Sequence, residues 1–505
     1  MPFGYIGYIC ERKFQPLRKV IVIGSGFAGL SNACYLAKHG YDVTVIEKNE
    51  QTGGRARKFS KLGYTFDMGP SWYWMPDVFD SFFADFGKKT SDYYSLTRLN
   101  PSYRVVFGKD NFIDVPSDLN ELKALFERIE PGSATKLDQF LSEAAYKYEV
   151  GMKDLVHKPG LSLLEFADWR VVSGLFKLHL VESFHSYIRK YFTNPQLIQL
   201  LEFPVLFLGA QPKDIPALYS LMNYADIQLG TWYPKGGMNK IVEAMTQLAT
   251  ELGVSFKLCE TVEEIISKQG NATHVKTNKA TYACDLIVGS ADYHHIEQAL
   301  LPASARNYSN HYWEQRTLAP SSIIFYLGIN KRVAHLLHHT LFFDADFALH
   351  AKEIYAHPQW PSNPLFYVSA TTKTEPDGAP EGCENIFILI PTAPGLAEDN
   401  TILDKYFQIV IDRLESFTGE SIKPHIEYRR DYAHNNFVQD YNSFKGNAYG
   451  LANTLRQTAI LKPSIRNKKI KNLFYTGQLT VPGPGVPPSL ISGKLVADYI
   501  AKQKR

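Results

Sequence analysis

Lys19-Val-Ile-Val-Ile-Gly24-Ser-Gly26-Phe-Ala-Gly29 is the stretch that decides the fold of this 505-residue chain. After its first residue the run to Ile23 is continuously apolar, and a glycine ends it. That pattern predicts a parallel strand buried on both faces. An apolar-periodic helix is predicted over 27–39, stopped by Gly40. A second strand, Asp42-Val-Thr-Val-Ile46, ends at Glu47. Strand, glycine loop, helix, strand and terminal acid make a complete βαβ unit. In such a unit Gly24 permits the tight turn, Gly26 admits a pyrophosphate close to the backbone, and Gly29 lets the helix pack on the strand. The helix start offers N–H groups and partial positive charge to phosphates. Glu47 suits both ribose hydroxyls and would repel a 2′-phosphate. A dinucleotide site that disfavours NADP is therefore expected.

The sequence after Glu47 bears on which dinucleotide. Lys48 leads into Gln51-Thr-Gly53-Gly54-Arg55-Ala-Arg57, where two glycines free the backbone and Arg55 is placed to neutralise phosphate charge. Tyr64-Thr-Phe-Asp67-Met-Gly69-Pro70-Ser71 then reads as a short strand and a turn. Far downstream, Lys257-Leu-Cys-Glu-Thr-Val262-Glu-Glu-Ile265 follows Gly253, and Asp285-Leu-Ile-Val-Gly-Ser-Ala291-Asp292 reads as a buried strand with an acidic exit. Asn472-Leu-Phe-Tyr-Thr-Gly477 is a last strand. Gln478-Leu-Thr-Val-Pro-Gly483-Pro-Gly485-Val486-Pro-Pro488-Ser489 follows it, and a helix is predicted over 488–502.

The run from Gly24 to Gly54, with Arg55 and Asp67-Met-Gly-Pro70, resembles the glutathione-reductase-type FAD fold of the amine oxidase and carotenoid desaturase superfamily. The C-terminal segment narrows this to the bacterial carotenoid (phytoene) desaturases. Trp232-Tyr-Pro-Lys-Gly-Gly237-Met238, Gly328-Ile-Asn330, Leu337-His-His-Thr340-Leu-Phe-Phe343, Ala379-Pro-Glu-Gly-Cys383 and Gly446-Asn-Ala-Tyr-Gly450 occur in the order that family has. The resemblance implies FAD, held by Gly24, Ser25, Gly26, Ala28, Gly29, Glu47, Lys48, Gly53, Gly54, Arg55, Gly69, Pro70, Ser71, Val262, Asp292, Gly477, Gly485 and Val486. The fold class expected is α/β (α+β): a Rossmann-type FAD-binding domain, a discontinuous substrate domain and a helical membrane-associating region. The division expected is a leader at 1–18, FAD-binding parts at 19–110, 232–300 and 446–505, a helical substrate and membrane region at 111–231, and a substrate-binding domain at 301–445.

Composition agrees with a globular enzyme. Hydrophobic residues make up 45% and charged residues 21% of the chain. The formal charge of +3 without a long basic run argues against nucleic acid as a partner. Aromatics at 13% suit a large apolar ligand as well as an ordinary core. The five cysteines lie far apart without CxxC spacing, which argues against a zinc site or a disulfide framework and fits a cytoplasmic location. Residues 1–18 lack the apolar core of a signal peptide and are expected to be disordered.

The segment 111–231 reads as helical, with helices predicted at 119–129 and 133–149. Leu197-Ile-Gln-Leu-Leu-Glu-Phe-Pro-Val-Leu-Phe-Leu208 is strongly apolar, yet too short and too interrupted to span a bilayer. Because a C40 polyene is stored in lipid, 161–208 is expected to lie at the membrane surface. The chain is thus expected to be a peripheral membrane protein.

The resemblance also implies the chemistry: desaturation of phytoene to neurosporene- or lycopene-type products. A hydride goes to flavin N5, a proton goes to a base or to solvent, and oxygen or a quinone re-oxidises the flavin. Glu165 and Arg170 are the candidate catalytic pair in the substrate region. His338-His339 is assigned to structure or substrate lining, His294-His295 to a helix start at the surface, and no metal site is expected. Three readings stay open: a phytoene desaturase, a related flavoenzyme (a hydroxycarotenoid or C30 desaturase, a saturase or an isomerase), and a non-catalytic carotenoid-binding protein. The intact glycine segments argue against the last.

Overall fold

A computed structural model describes residues 17–162, 165, 178–180, 182–206, 209–454 and 456–503. The leader assigned to 1–18 lies outside the described residues except for Leu17 and Arg18. The opening βαβ unit forms as its pattern requires: strand Lys19–Ile23, helix Phe27–Lys38, strand Asp42–Ile46. Three later strands complete a parallel sheet. Its order is Leu473–Tyr475, Leu286–Gly289, Lys19–Ile23, Asp42–Ile46, Ser255–Lys257. Lys19–Ile23 sits at the centre, with Val20 paired to Val43 on one side and to Leu286 on the other. A strand covered on both faces needs apolar side chains in both directions, which is why it reads as a continuous run rather than an alternation.

A second, seven-stranded sheet runs Ile426–Tyr432, Ser321–Ile329, Glu384–Thr392, Phe366–Ser369, His339–Phe342, Tyr103–Gly108, Asn111–Val115. It is antiparallel except where His339–Phe342 meets Tyr103–Gly108. The boundary expected at 110 cuts this last hairpin. Tyr103–Gly108 belongs to the seven-stranded sheet and not to the nucleotide sheet, because a short hairpin has to pair as one unit.

After Asn111–Val115 the chain forms helices Leu119–Ile129, Ser133–Val150, Phe184–Ile188 and Pro195–Leu206. The apolar run beginning at Leu197 does not face outward. Leu197, Ile198, Leu200, Leu201, Phe203 and Val205 are all buried. The described part of this run, expected at a membrane surface, is therefore core; positions 207–208 lie outside the described residues. No described helix is long and apolar enough to cross a membrane. Cys34, Cys259, Cys284 and Cys383 are unbridged.

The last helix, Val486–Lys502, begins two residues earlier than the sequence predicts and packs on the first helix, Phe27–Lys38. At Gly493 the backbones come so close that a Cβ there would stand 2.5 Å from the carbonyl oxygen of Ala28 and 2.7 Å from the nitrogen of Asn32. Asn32 Nδ2 donates to the Gly493 carbonyl at 2.9 Å and Ser31 Oγ to the Leu490 carbonyl at 2.7 Å. Gly493→Ala should therefore destabilise the fold by overpacking, by about 1–3 kcal/mol. Urea unfolding of the two proteins measures this, and an unchanged midpoint would show that the helices separate at no cost.

Candidate functional site

One large cavity, ≈ 460 Å³, runs from the glycine loop into the space between the two sheets. Every residue assigned to the cofactor from sequence borders it except Gly29. Gly29 has a packing role instead: a Cβ there would lie 2.1 Å from the Gly24 carbonyl oxygen. Gly26 is the opposite case. Its backbone is ordinary, at φ −68°, and a Cβ would meet no protein atom within 4 Å. No protein neighbour requires glycine there; a ligand lying close against the loop would. At Gly24 φ is +98°, as the tight turn demands.

Glu47 is 5% exposed, and its carboxylate organises this end of the cavity. Oε2 accepts from the Ser25 N–H at 2.9 Å and the Ser25 hydroxyl at 2.8 Å. Oε1 accepts from the N–H of Asn49 at 3.0 Å and from its Nδ2 at 2.9 Å. The Glu260 N–H donates to the Glu47 carbonyl at 2.9 Å, which sets Thr261 and Val262 against the cavity. Lys48 Nζ donates to the carbonyl of Gln439 at 2.5 Å, and burial lowers its pKa.

Arg55 is held from behind. Its Nη2 donates to Ser443 Oγ at 2.7 Å and to the Asn447 carbonyl at 3.2 Å, and the guanidinium lies over the Tyr441 ring at 5.0 Å. Burial lowers its pKa, while its buried Nε has no protein partner. Ser290 Oγ on the cavity wall is likewise unpartnered. Asp292 caps the helix Tyr293–Ala299 by accepting from the N–H of His295 at 3.2 Å, and accepts from the Phe444 N–H at 3.2 Å. The histidine pair lies at a helix start as the sequence predicts, and of the two partly exposed side chains His295 borders the cavity. At the other end of the site, the helix Val486–Lys502 starts after Gly485, whose φ is +113°. Pro487 and Pro488 have no N–H, so Val486 carries the one backbone donor among its first three residues. Orphaned polar groups, an open glycine and a helix start thus converge on the same elongated space, and their chemistry fits a dinucleotide.

Beyond Ser71 the wall turns apolar, with Trp72, Trp74, Phe203, Phe343, Phe347 and Leu341. His350 there is kept neutral: burial lowers its pKa to about 4. Its Nδ1 accepts from the Leu365 N–H at 2.9 Å and its Nε2 donates to the Pro391 carbonyl at 3.1 Å. His339 is fully buried behind this wall and stacks on Trp72 at 4.0 Å, with its pKa lowered by burial. His338 and His339 thus serve structure, and among the described residues no cluster suits a metal ion.

Of the candidate catalytic pair, Glu165 alone is among the described residues. Glu165 does not border the cavity, and its carboxylate accepts three backbone N–H groups, from Gly160 at 2.8 Å, Leu161 at 3.0 Å and Ser162 at 3.1 Å. It ties a loop. Arg170 lies outside the described residues. Sequence reading also misses the aromatic wall. Trp72 and Trp74 are detectable, since they directly follow Ser71; Phe203, Phe343 and Phe347 come from distant segments and read as ordinary core.

The profile of the flavin containing amine oxidoreductase family matches residues 27–501. Over 482 residues the chain is 40% identical to a carotenoid 3,4-desaturase of Haloarcula japonica, covering 95% of this chain and 97% of that one. It is 31% identical over 491 residues to a zeta-carotene-forming phytoene desaturase of Myxococcus xanthus, covering 96% and 94%. Among solved structures, an oxidoreductase of Methanosarcina mazei shares the fold at TM-score 0.62 and 16% identity, over 95% of this chain and 100% of that one. The chain belongs to the flavin containing amine oxidoreductase family and is an FAD-dependent oxidoreductase of the carotenoid desaturase type.

Proposed function

We propose that this protein introduces a C=C bond into a long acyclic carotenoid of the phytoene type. The observation that carries the reading is the continuity of one cavity, from a polar nucleotide end to a wall of aromatic and aliphatic side chains whose histidine is held neutral. Such a wall takes a hydrocarbon without stranding a charge against it. Bound flavin supplies the hydride acceptor. The protein orients the polyene and excludes water. A second reading, desaturation across carbons 3 and 4, is favoured by the 40% identical relative. Expression in a phytoene-accumulating host separates the two. Lycopene or neurosporene supports the first. Unchanged phytoene, with an extended chromophore in a lycopene-accumulating host, supports the second, and unchanged pigment in both hosts overturns the reading as a whole. We assign re-oxidation to oxygen or a quinone.

For the cofactor we infer that Gly26 and the start of the helix at Phe27 take the pyrophosphate, Glu47 the adenosine ribose, and Val486 N–H the flavin edge. The ribose hydroxyls would take the places that the side chains of Ser25 and Asn49 hold on Glu47. Charge-assisted hydrogen bonds are worth roughly 1.5–3 kcal/mol each, so Glu47→Ala should weaken FAD retention by about tenfold or more. Glu50→Ala should not; equal flavin content in the two variants would refute the assignment. The flavin is inferred to be non-covalent, since no cysteine borders the cavity among the described residues and, of its two histidines, His350 has both ring nitrogens hydrogen-bonded while His295 lies at the nucleotide end near Lys48. Acid precipitation should leave the flavin in the supernatant.

We further infer contact with a membrane surface at a place beyond the expected 161–208 stretch, of which positions 163–164, 166–177, 181 and 207–208 lie outside the described residues. The helix Phe347–Ala351 turns Phe347, His350 and Ala351 to the cavity and leaves Leu349 42% exposed. Only one helix thickness separates solvent from the apolar chamber there. Liposome flotation tests this. The native protein should rise with vesicles and Leu349→Glu should rise less; native protein left in the aqueous fraction would refute it. A charge at Leu206 would not report on lipid, because Leu206 borders the cavity.

A further inference from the structure

At its apolar end the main cavity presents no free carboxylate or histidine among the described residues; His295 stands at the nucleotide end near Lys48, and burial lowers its pKa to about 4. Of the carboxylates bordering the cavity among the described residues, Glu47 is engaged by Ser25 and Asn49, and Asp292 by backbone N–H groups. Glu260 accepts from Thr277 Oγ1 at 2.6 Å, and Asp440 pairs with Arg57 at 2.7 Å. His350 has both ring nitrogens committed. Desaturation nevertheless releases one proton per double bond formed.

Behind Ser71 lies a second cavity of ≈ 20 Å³, the space of about one water. Ser71 borders both cavities. The polar residues of the small one are Asp67, Ser71, Tyr233, Ser369, Thr371 and Asn385. Ser369 Oγ makes no hydrogen bond of good geometry, with the Tyr367 hydroxyl its near neighbour, although the residue is only 3% exposed. Ser369 pairs with Phe387 and with His339 across the seven-stranded sheet, so its side chain shares the face on which Phe387 borders the small cavity. Asp67 spends one lone pair of each oxygen on a backbone N–H, of Met238 at 2.8 Å and of Asn239 at 2.9 Å, and keeps the others. Burial raises its carboxyl pKa to about 6, with those two N–H groups opposing. A carboxylate near neutrality is suited to take up and give back a proton. A way out adjoins it: the Tyr233 hydroxyl donates to Glu375 Oε2 at 3.0 Å, and Glu375 is partly exposed.

We propose that the small cavity holds one water which, with Ser71 and Asp67, takes the proton released in the main cavity, and that Tyr233 and Glu375 pass it to solvent. This rests on the desaturase reading. Flavin, when bound, would supply the acceptor for one hydrogen as hydride. The adjacent C–H bond then breaks, its electron pair becoming the new π bond and its proton going to Ser71 Oγ. The hydroxyl proton of Ser71 moves to the water, and a proton of the water moves to the Asp67 carboxylate. To reset, Asp67 returns a proton to the water, which protonates the Tyr233 oxygen as the Tyr233 proton passes to Glu375.

Ser369→Val tests the relay by filling the small cavity with methyl groups, a change a strand tolerates. A high-resolution crystal structure of the flavin-loaded protein should show one water within hydrogen-bond distance of Asp67 and Ser369, and the variant should lack it at unchanged flavin content. In anaerobic single turnovers with a carotenoid, proton release followed by an indicator dye should slow by about tenfold or more in Ser369→Val. In Tyr233→Phe it should lag behind bleaching of the flavin. No water in the wild-type cavity, or proton release at the wild-type rate in both variants, overturns the relay. If no carotenoid bleaches the wild-type flavin, the desaturase reading fails and the relay fails with it; normal bleaching with unaltered proton release removes the relay alone.

Discussion

The close approach of the first and last helices at Gly493 is the contact on which the rest of the molecule depends. It leaves no room for a Cβ, and it brings the final segment, with Gly477, Gly485 and Val486, over the glycine loop from the other end of the chain. The bond from Asn32 to Gly493 spans 461 positions of sequence. The central strand Lys19–Ile23 can then be covered by Leu286–Gly289 on one side and Asp42–Ile46 on the other. A cavity long enough for a dinucleotide exists because three distant parts of the chain share one parallel sheet.

Electrostatics divides that cavity. At the nucleotide end, charge is retained and paired: Glu47 with Ser25 and Asn49, Arg55 with Ser443, Asn447 and the Tyr441 ring. Beyond Ser71 charge is removed. His350 and His339 are both neutral through burial, and aromatic and aliphatic side chains supply the wall. The same low-polarity surroundings that admit a hydrocarbon penalise an ionised base beside it. A carboxylate one small cavity away, at Asp67, escapes that penalty in part through its two backbone N–H partners.

The functional consequence is a separation of tasks between the two sheets. The parallel sheet provides loops and a helix start for the cofactor. From the seven-stranded sheet Tyr326 donates to the Met68 carbonyl at 2.6 Å and locks the turn before Gly69 and Ser71. That bond ties the substrate side to the cofactor side at the point where the two must meet.

By itself the sequence determined the local elements and the nucleotide end of the site. The apolar run before Gly24, the glycine spacing and the acid at Glu47 are constraints among neighbours in the chain, and neighbours are what a linear pattern records. Tertiary structure alone decided what lies far apart in sequence. It paired Tyr103–Gly108 with His339–Phe342, turned the apolar stretch after Pro195 into core, and set Phe203 against both Trp72 and Phe343. It also took Glu165 out of the site by giving its carboxylate three backbone donors. An apolar side chain reads the same whether it is covered by protein, by lipid or by substrate, and an acid reads the same whether its partners are backbone or ligand; only packing in three dimensions supplies the partner.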